Sequence, residues 1–148
     1  MKKMLLFLLV ISCLCSPFVL RDKSIFSLHG IDDVCFVSEN EIEGSYDVVY
    51  SGDKIFSYFT LDEAKKVDLN QKIDAVELFF EDFDLKTIKN KLNLQIVFEE
   101  KYEDINIIMG YTTWYKDCIY IDGKKVNVQL AVYDDKLIAG FPMILTGY

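Results

Sequence analysis

The sequence contains a single histidine, His29, among 148 residues, and this scarcity argues against several kinds of catalytic site. One imidazole cannot build a histidine-based metal cluster, and no Ser/His/Asp or Cys/His spacing surrounds it. The acidic runs also lack the EF-hand pattern of spaced oxygen ligands around a glycine. We therefore expect no metal and no other cofactor, and we interpret His29 as a loop residue.

Cysteine is also sparse, and its spacing excludes two further classes of site. Two of the four cysteines, Cys13 and Cys15, lie in an apolar N-terminal run, which leaves Cys35 and Cys118 for the rest of the chain. Without a CxxC motif, neither a thioredoxin-type site nor a zinc knuckle is supported. Outside the cytosol Cys35 and Cys118 could form a disulfide; the alternative is two separate buried thiols.

Basic residues are fewer than acidic residues, which argues against nucleic-acid binding. The chain has 16 basic and 24 acidic residues, a net charge of −8. Without the first 20 residues, which include Lys2 and Lys3, the net charge becomes −10. No cluster of Lys and Arg with interleaved aromatic residues offsets this repulsion of phosphate backbones. We therefore predict no nucleic-acid partner.

One long apolar run is present, at the N-terminus, and it predicts export. Lys2 and Lys3 precede an uncharged run from Met4 to Leu20, the pattern of an export signal. As a helix this run would be about 25 Å long, slightly less than a typical hydrocarbon core of about 30 Å. We assign residues 1–23 as a signal peptide or membrane anchor. Cleavage near Ser16, an uncleaved anchor and lipidation at Cys13 remain open alternatives. The prediction is a protein secreted or anchored on the extracytoplasmic face, with membrane contact through this segment only.

Residues 24–148 carry the pattern of one α+β domain. Its hydrophobic content, 51% over the whole chain, is ample for a core. Two-residue periodicity and turn dipeptides predict strands, and capping residues predict two short helices. Thr60 and Glu63 form a capping box before Leu61, and Asp82 or Asp84 caps a helix over Leu85–Leu92. The predicted strands are 34–37, 46–50, 54–59, 74–80, 94–98, 105–111, 119–121, 126–132 and 136–144.

The segment from Cys118 to Ile144 carries the strongest local signal. Asp122-Gly123 between two alternating runs is typical of a tight hairpin, and we predict three antiparallel strands in a row. In the middle strand, alternation predicts a core face and a partly solvated face. Pro142 lacks an amide hydrogen, so it places the last strand at a sheet edge or ends its pairing. The predicted core face comprises Val126, Val128, Leu130 and Val132, and the solvated face Asn127, Gln129, Ala131 and Tyr133.

Three stretches resemble the C-terminal part of the YwmB-like family. They are GYT (Gly110–Thr112), IDGKKVNVQLAV (Ile121–Val132) and GFPMI (Gly140–Ile144). Members of this family are described as having a TATA-box-binding-protein-like fold and come mainly from spore-forming Gram-positive bacteria. The resemblance covers about residues 78–148. It implies an α+β domain with helices on one face of a curved antiparallel sheet, behind an export segment, and it implies no known activity.

The best candidate for a recognition surface is the predicted solvated face of the long strand and the aromatic residues near it. Amide side chains beside aromatic rings suit a protein or glycan partner. The alternative is that the amides bond neighbouring strands and the tryptophan fills a loop. The candidate residues are Asn127, Gln129, Tyr133, Tyr120 and Trp114.

The function predicted from these patterns is a non-catalytic binding module for a protein or cell-envelope partner. The alternatives are a cell-envelope hydrolase that uses Asp or Glu residues, and a structural subunit. A carboxylate with a perturbed environment inside a pocket would favour the hydrolase. A large exposed apolar patch would favour the structural subunit.

Overall fold

A computed structural model of the chain describes residues 23–147, and within them a large antiparallel sheet dominates. Residues 1–22, with Cys13, lie outside the described residues, so the export segment and its lipidation stay predictions. Two short α-helices and one 3-10 helix accompany the strands. In chain order the elements are the 3-10 helix (Lys23–Ser27), β1 (Asp33–Ser38), β2 (Asp47–Ser51), β3 (Lys54–Thr60), α1 (Leu61–Ala64), β4 (Ala75–Phe80), α2 (Leu85–Lys91), β5 (Gln95–Tyr102), β6 (Ile105–Tyr111), β7 (Ile119–Ile121), β8 (Lys124–Val126), β9 (Val128–Val132) and β10 (Leu137–Phe141).

The sheet contains eight of these strands in the order β2-β3-β1-β4-β10-β9-β6-β5, and every neighbouring pair is antiparallel. Strand β4 joins the two halves, because β1 pairs on one side of it and β10 on the other. The edges are β2 and β5. The predicted α+β class, with an antiparallel sheet and two short helices, is confirmed at this level.

Both α-helices begin at the capping residues that the sequence predicts. The Thr60 hydroxyl accepts a hydrogen bond from the Glu63 amide at 3.5 Å, and the Asp84 carboxylate accepts one from the Lys86 amide at 3.0 Å. Ala64 of α1 and Ile88 of α2 are buried in one hydrophobic cluster. Within residues 23–147 no helix has the length and apolar character needed to cross a bilayer.

The two faces of the sheet are buried by different means. We call the face that packs against the helices the core face; Phe36, Leu78 and Phe141 lie in its cluster. The opposite face carries a smaller buried cluster around Cys35 and Ala75. Residues 142–147, which we call the strap, lie across this second face, which we call the strap face. The central strands are therefore covered on both sides.

The hairpin at Asp122-Gly123 is confirmed, but the row of three strands is wrong. Both turn residues have positive φ, 48° and 75°, and β7 and β8 pair with each other as a separate two-stranded sheet. The predicted strand 126–132 is interrupted at Asn127, whose amide donates to the Gly110 carbonyl at 3.0 Å. Its side chain accepts from the Thr112 amide at 2.8 Å and donates to the Thr112 carbonyl at 2.7 Å and to the Tyr115 carbonyl. These bonds divide the strand into β8 and β9.

The predicted solvated face of this segment is also wrong for three of its four residues. Asn127, Gln129 and Ala131 are at most 2% exposed. The strap covers this face, and the Gln129 carboxamide oxygen accepts a hydrogen bond from the Ile144 amide at 3.1 Å. For Pro142 the second alternative holds, because β10 is central and its pairing ends at Phe141.

We predict that Asn127→Ala lowers the free energy of unfolding by about 2–4 kcal/mol, because several buried backbone groups lose their partner. Urea denaturation measures this loss. The matched control is Asn106→Ala on β6, whose side chain donates to Glu99 at an exposed site; we expect a change within about 0.5 kcal/mol. Equal losses in the two variants would contradict the structural role of Asn127.

Candidate functional site

The strap is held by one buried carboxylate. Glu77 of β4 is fully buried, and its Oε1 accepts from the Leu145 amide at 2.6 Å and from the Thr146 amide at 3.0 Å. Its Oε2 accepts from the Thr146 hydroxyl at 2.5 Å. Gly140 lies directly below the crossing; a Cβ there would stand 2.4 Å from the Ile144 amide nitrogen. The strap thus requires an acceptor at Glu77 and no side chain at residue 140.

Burial shapes the chemistry of the groups around Glu77. Desolvation raises the pKa of the Glu77 carboxyl, and the three hydrogen bonds from the strap partly oppose that shift. The pKa of the Cys35 thiol is raised by burial and by the nearby Glu77 charge. Burial, with Cys35 and Glu77 nearby, raises the pKa of Tyr58 to about 12. Cys35 is therefore an inert thiol rather than a nucleophile.

Beside the strap the same face opens into a groove of about 710 Å³, which we call the acidic groove. It begins two residues farther along the strands that the strap crosses: Phe79 follows Glu77 on β4, and Ile138 precedes Gly140 on β10. The full lining is Asp32, Asp33, Tyr46, Asp47, Tyr58, Phe79, Phe80, Glu81, Tyr133, Asp135, Lys136, Leu137 and Ile138.

The lining combines carboxylates with aromatic rings. Five of its described residues are acidic, and Lys136 is the one basic side chain among them. Hydrogen bonds fix two of the carboxylates: Asp32 accepts from the Glu81 amide at 2.6 Å, and Asp47 accepts from the Val48 amide at 2.9 Å. Within residues 23–147 no three His, Cys, Asp or Glu side chains are arranged to hold a metal ion.

The acids lie close enough to Tyr46 to change the pKa of its hydroxyl. The pKa of Tyr46 is raised, first by partial burial and then by a hydrogen bond to Asp33 and by the charges of Asp33 and Asp47. A groove with this lining repels anions and favours an ammonium or guanidinium group. The carboxylates supply charge-assisted hydrogen bonds, and the ring faces supply cation–π contact.

The structure separates the recognition residues that the sequence grouped together. Tyr133 lines the acidic groove, whereas Tyr120 lies exposed on β7 and Trp114 packs, partly buried, against the main core. Asn127 and Gln129 are buried and hydrogen-bonded, so they form no exposed recognition surface and match the structural alternative instead.

Both Cys35 and Cys118 are free in the structure, which matches the alternative of two separate thiols rather than a disulfide. Cys35 is enclosed in the strap-face cluster with Val37, Phe56 and Ala75. Cys118 is partly exposed and precedes β7, in a different part of the chain.

Sequence reasoning missed the acidic groove because its acids come from four separate segments. The acids lie at strand ends: Asp32 and Asp33 at the start of β1, Asp47 at the start of β2, Glu81 just after β4 and Asp135 shortly before β10, with Asp32 directly preceding its strand. Each pair or single acid has the local appearance of a solvated turn. The available signal was their shared position at strand ends, and only the strand order brings those ends together.

Comparison with protein families, curated proteins and solved structures found no match for this chain. The resemblance to the YwmB-like family therefore stays a prediction.

The raised pKa of Glu77 makes the stability of the folded protein depend on pH. The ionised form is less favourable in the folded protein than in the unfolded chain, so its contribution to stability falls as pH rises from about 4.5 through the folded pKa. Glu77→Gln keeps an oxygen acceptor and removes this ionisation. We expect urea denaturation at pH 4.5 and 7.5 to show a smaller loss of stability in Glu77→Gln than in the wild type.

Glu100→Gln on the exposed edge strand β5 is the matched control for this measurement. It removes one carboxylate without touching the strap, and we expect its pH profile to follow the wild type. Parallel profiles for wild type and Glu77→Gln would show that Glu77 ionisation does not govern the pH dependence.

Proposed function

We propose that this protein is a non-catalytic binding module, exported or membrane-anchored, whose acidic groove holds a positively charged group of a protein partner. The observation that carries the proposal is the convergence of five carboxylates with Tyr46, Tyr58, Phe79 and Tyr133 around one groove. Its volume lies within the range of about 300–1,000 Å³ that is typical of ligand sites. The predicted export segment and the YwmB-like resemblance are the grounds for the proposed cellular placement.

The charge balance of the whole chain favours the same class of partner. With a net charge of −8, the protein attracts cationic ligands at long range and repels anionic polymers. A lysine or arginine side chain suits the groove because its aliphatic stem can lie against tyrosine rings while its head meets the carboxylates.

The hydrolase alternative receives less support from the geometry. Burial raises the pKa of the Glu77 carboxyl, and a raised pKa is the property expected of a general acid. Glu77 lies under the strap, bonded to backbone amides, and does not line the acidic groove. A substrate in the groove would not reach its oxygens while the strap is in place.

We predict that Nα-acetyl-lysine methylamide binds in the acidic groove, observed as amide shift changes at groove residues in an NMR titration. The double variant Asp33→Asn, Asp47→Asn keeps the shape and the acceptor oxygens but removes two charges. At about 0.2–1 kcal/mol for each exposed charge pair, affinity should fall by about 2–30-fold.

The matched control is the double variant Asp62→Asn, Asp104→Asn, which removes the same number of negative charges at exposed sites outside the groove. Its affinity for the lysine probe should change less than twofold, which corresponds to less than about 0.4 kcal/mol. Equal weakening in both double variants would reduce the effect to net charge, and tighter binding of Nα-acetyl-glutamate methylamide would overturn the proposal.

A further inference from the structure

The edge strand β2 is unusual in being apolar, exposed and open on one side. Within the described residues it pairs only with β3. Seven large hydrophobic residues of the described chain are exposed, and three of them lie within residues 46–50: Tyr46 at 59%, Val49 at 47% and Tyr50 at 66%. Contiguous exposed apolar side chains on a sheet edge are typical of an interaction surface.

The opposite edge shows how this fold protects a strand. Strand β5 carries a register shift between Ile96 and Phe98, and its middle reads Glu99-Glu100-Lys101. Bulges and charges of this kind discourage strand addition. Strand β2, DVVYS, contains one charged residue, Asp47 at its start, and pairs with β3 without a register shift. The two edges therefore differ in how readily they accept another strand.

The backbone of β2 offers donors on its open side. Ser51 and Lys54 close a two-residue turn, so in the antiparallel alternation Val49 and Ser51 bond β3 while the amides of Val48 and Tyr50 point outward. The Val48 amide is covered by the carboxylate of its neighbour Asp47, at 2.9 Å. An incoming carbonyl can replace that carboxylate, which then becomes available to a cationic side chain.

The open edge and the acidic groove form one continuous surface. Tyr46 and Asp47 stand at the start of β2 and also line the groove. On neighbouring strands, side chains of one face lie about 4.5–5.5 Å apart. A lysine or arginine on an added strand is long enough to reach across Asp47 into the groove.

From this continuity we propose that β2 accepts an extended, lysine- or arginine-bearing segment of a partner protein as an additional strand, whose basic side chain enters the acidic groove. This inference rests on the proposed function and deepens it by giving the form of the ligand. Charge selects a basic partner over a second copy of the chain, because acidic side chains lie at this edge. Asp47 begins β2, Asp53 lies in the turn that follows it, and the Glu41 carboxylate accepts a hydrogen bond from the Tyr50 hydroxyl at 2.8 Å. Main-chain bonds to the edge give affinity, and the groove gives selectivity.

In the test, calorimetry measures the affinity of the full chain for the peptide Ac-Thr-Lys-Val-Lys-Val-Lys-Thr-NH2. Two further peptides carry backbone N-methyl groups either on the lysines or on the valines. Alternate amides of a strand point to opposite edges, so we expect one N-methylated peptide to lose about tenfold or more in affinity, as two lost hydrogen bonds would. The other should bind like the parent peptide.

A proline substitution tests the edge from the protein side. Tyr50→Pro removes an outward amide one residue before the Ser51–Lys54 closing pair, and Lys101→Pro does the same on β5, one residue before the Tyr102–Ile105 pair. We expect Tyr50→Pro to weaken the parent peptide by about tenfold, and Lys101→Pro to leave its binding in place. The response of groove amides to Nα-acetyl-lysine methylamide confirms that each variant is folded.

The outcomes separate this inference from the proposed function. If the acetyl-lysine probe binds but both N-methylated peptides bind like the parent, strand addition is overturned and the groove proposal stands. A second outcome is that one N-methylated peptide loses binding while the acetyl-lysine probe does not bind. If a peptide with glutamate in place of each lysine then binds as tightly as the parent peptide, the edge binds peptides without selecting cations. That result would overturn the inference. A complex with two protein copies bridged edge to edge would also overturn it.

Discussion

The contact between Glu77 and the strap determines how this sheet is buried. Ionised carboxylates are rarely found in protein interiors, because desolvation is costly unless several donors compensate for it. Here two amides and a hydroxyl from one short segment provide part of that compensation. In return the carboxylate satisfies backbone amides that would otherwise lie against an apolar sheet without partners. The buried carboxylate and the buried amides of the strap thus satisfy one another's hydrogen-bonding needs.

The position of the strap divides the strap face into a closed part and an open part. Gly140 permits the crossing, and Gln129 and Glu77 fix it from the strands on either side of β10. Two residues farther along β4 and β10, the face is uncovered and lined by acids and rings. A ligand can reach the face of a sheet only where the rest of the chain leaves that face uncovered. In this molecule the six-residue strap sets that boundary.

Local patterns in the sequence predicted the local structure well. The N-cap at Thr60, the cap at Asp84 and the Asp122-Gly123 turn depend on residues within a few positions of one another, and each is confirmed. The burial of Gln129 could not be predicted in this way, because its covering residue, Ile144, is linked to it only by folding. The same reason hid the acidic groove, whose residues meet through strand order. Periodicity shows which residues share a face, but it does not show what covers that face.

The sequence separation of the Glu77 contact has a consequence for the order in which the protein can fold as it is made. Glu77 and its partner Leu145 are 68 residues apart. During synthesis, β1 and β3 can meet β4 long before the strap emerges. Until then the Glu77 carboxylate must stay hydrated, and the central strands cannot be sealed on both faces. Completion of this fold is therefore a late event, and a chain whose strap is still inside the ribosome keeps its strap face open.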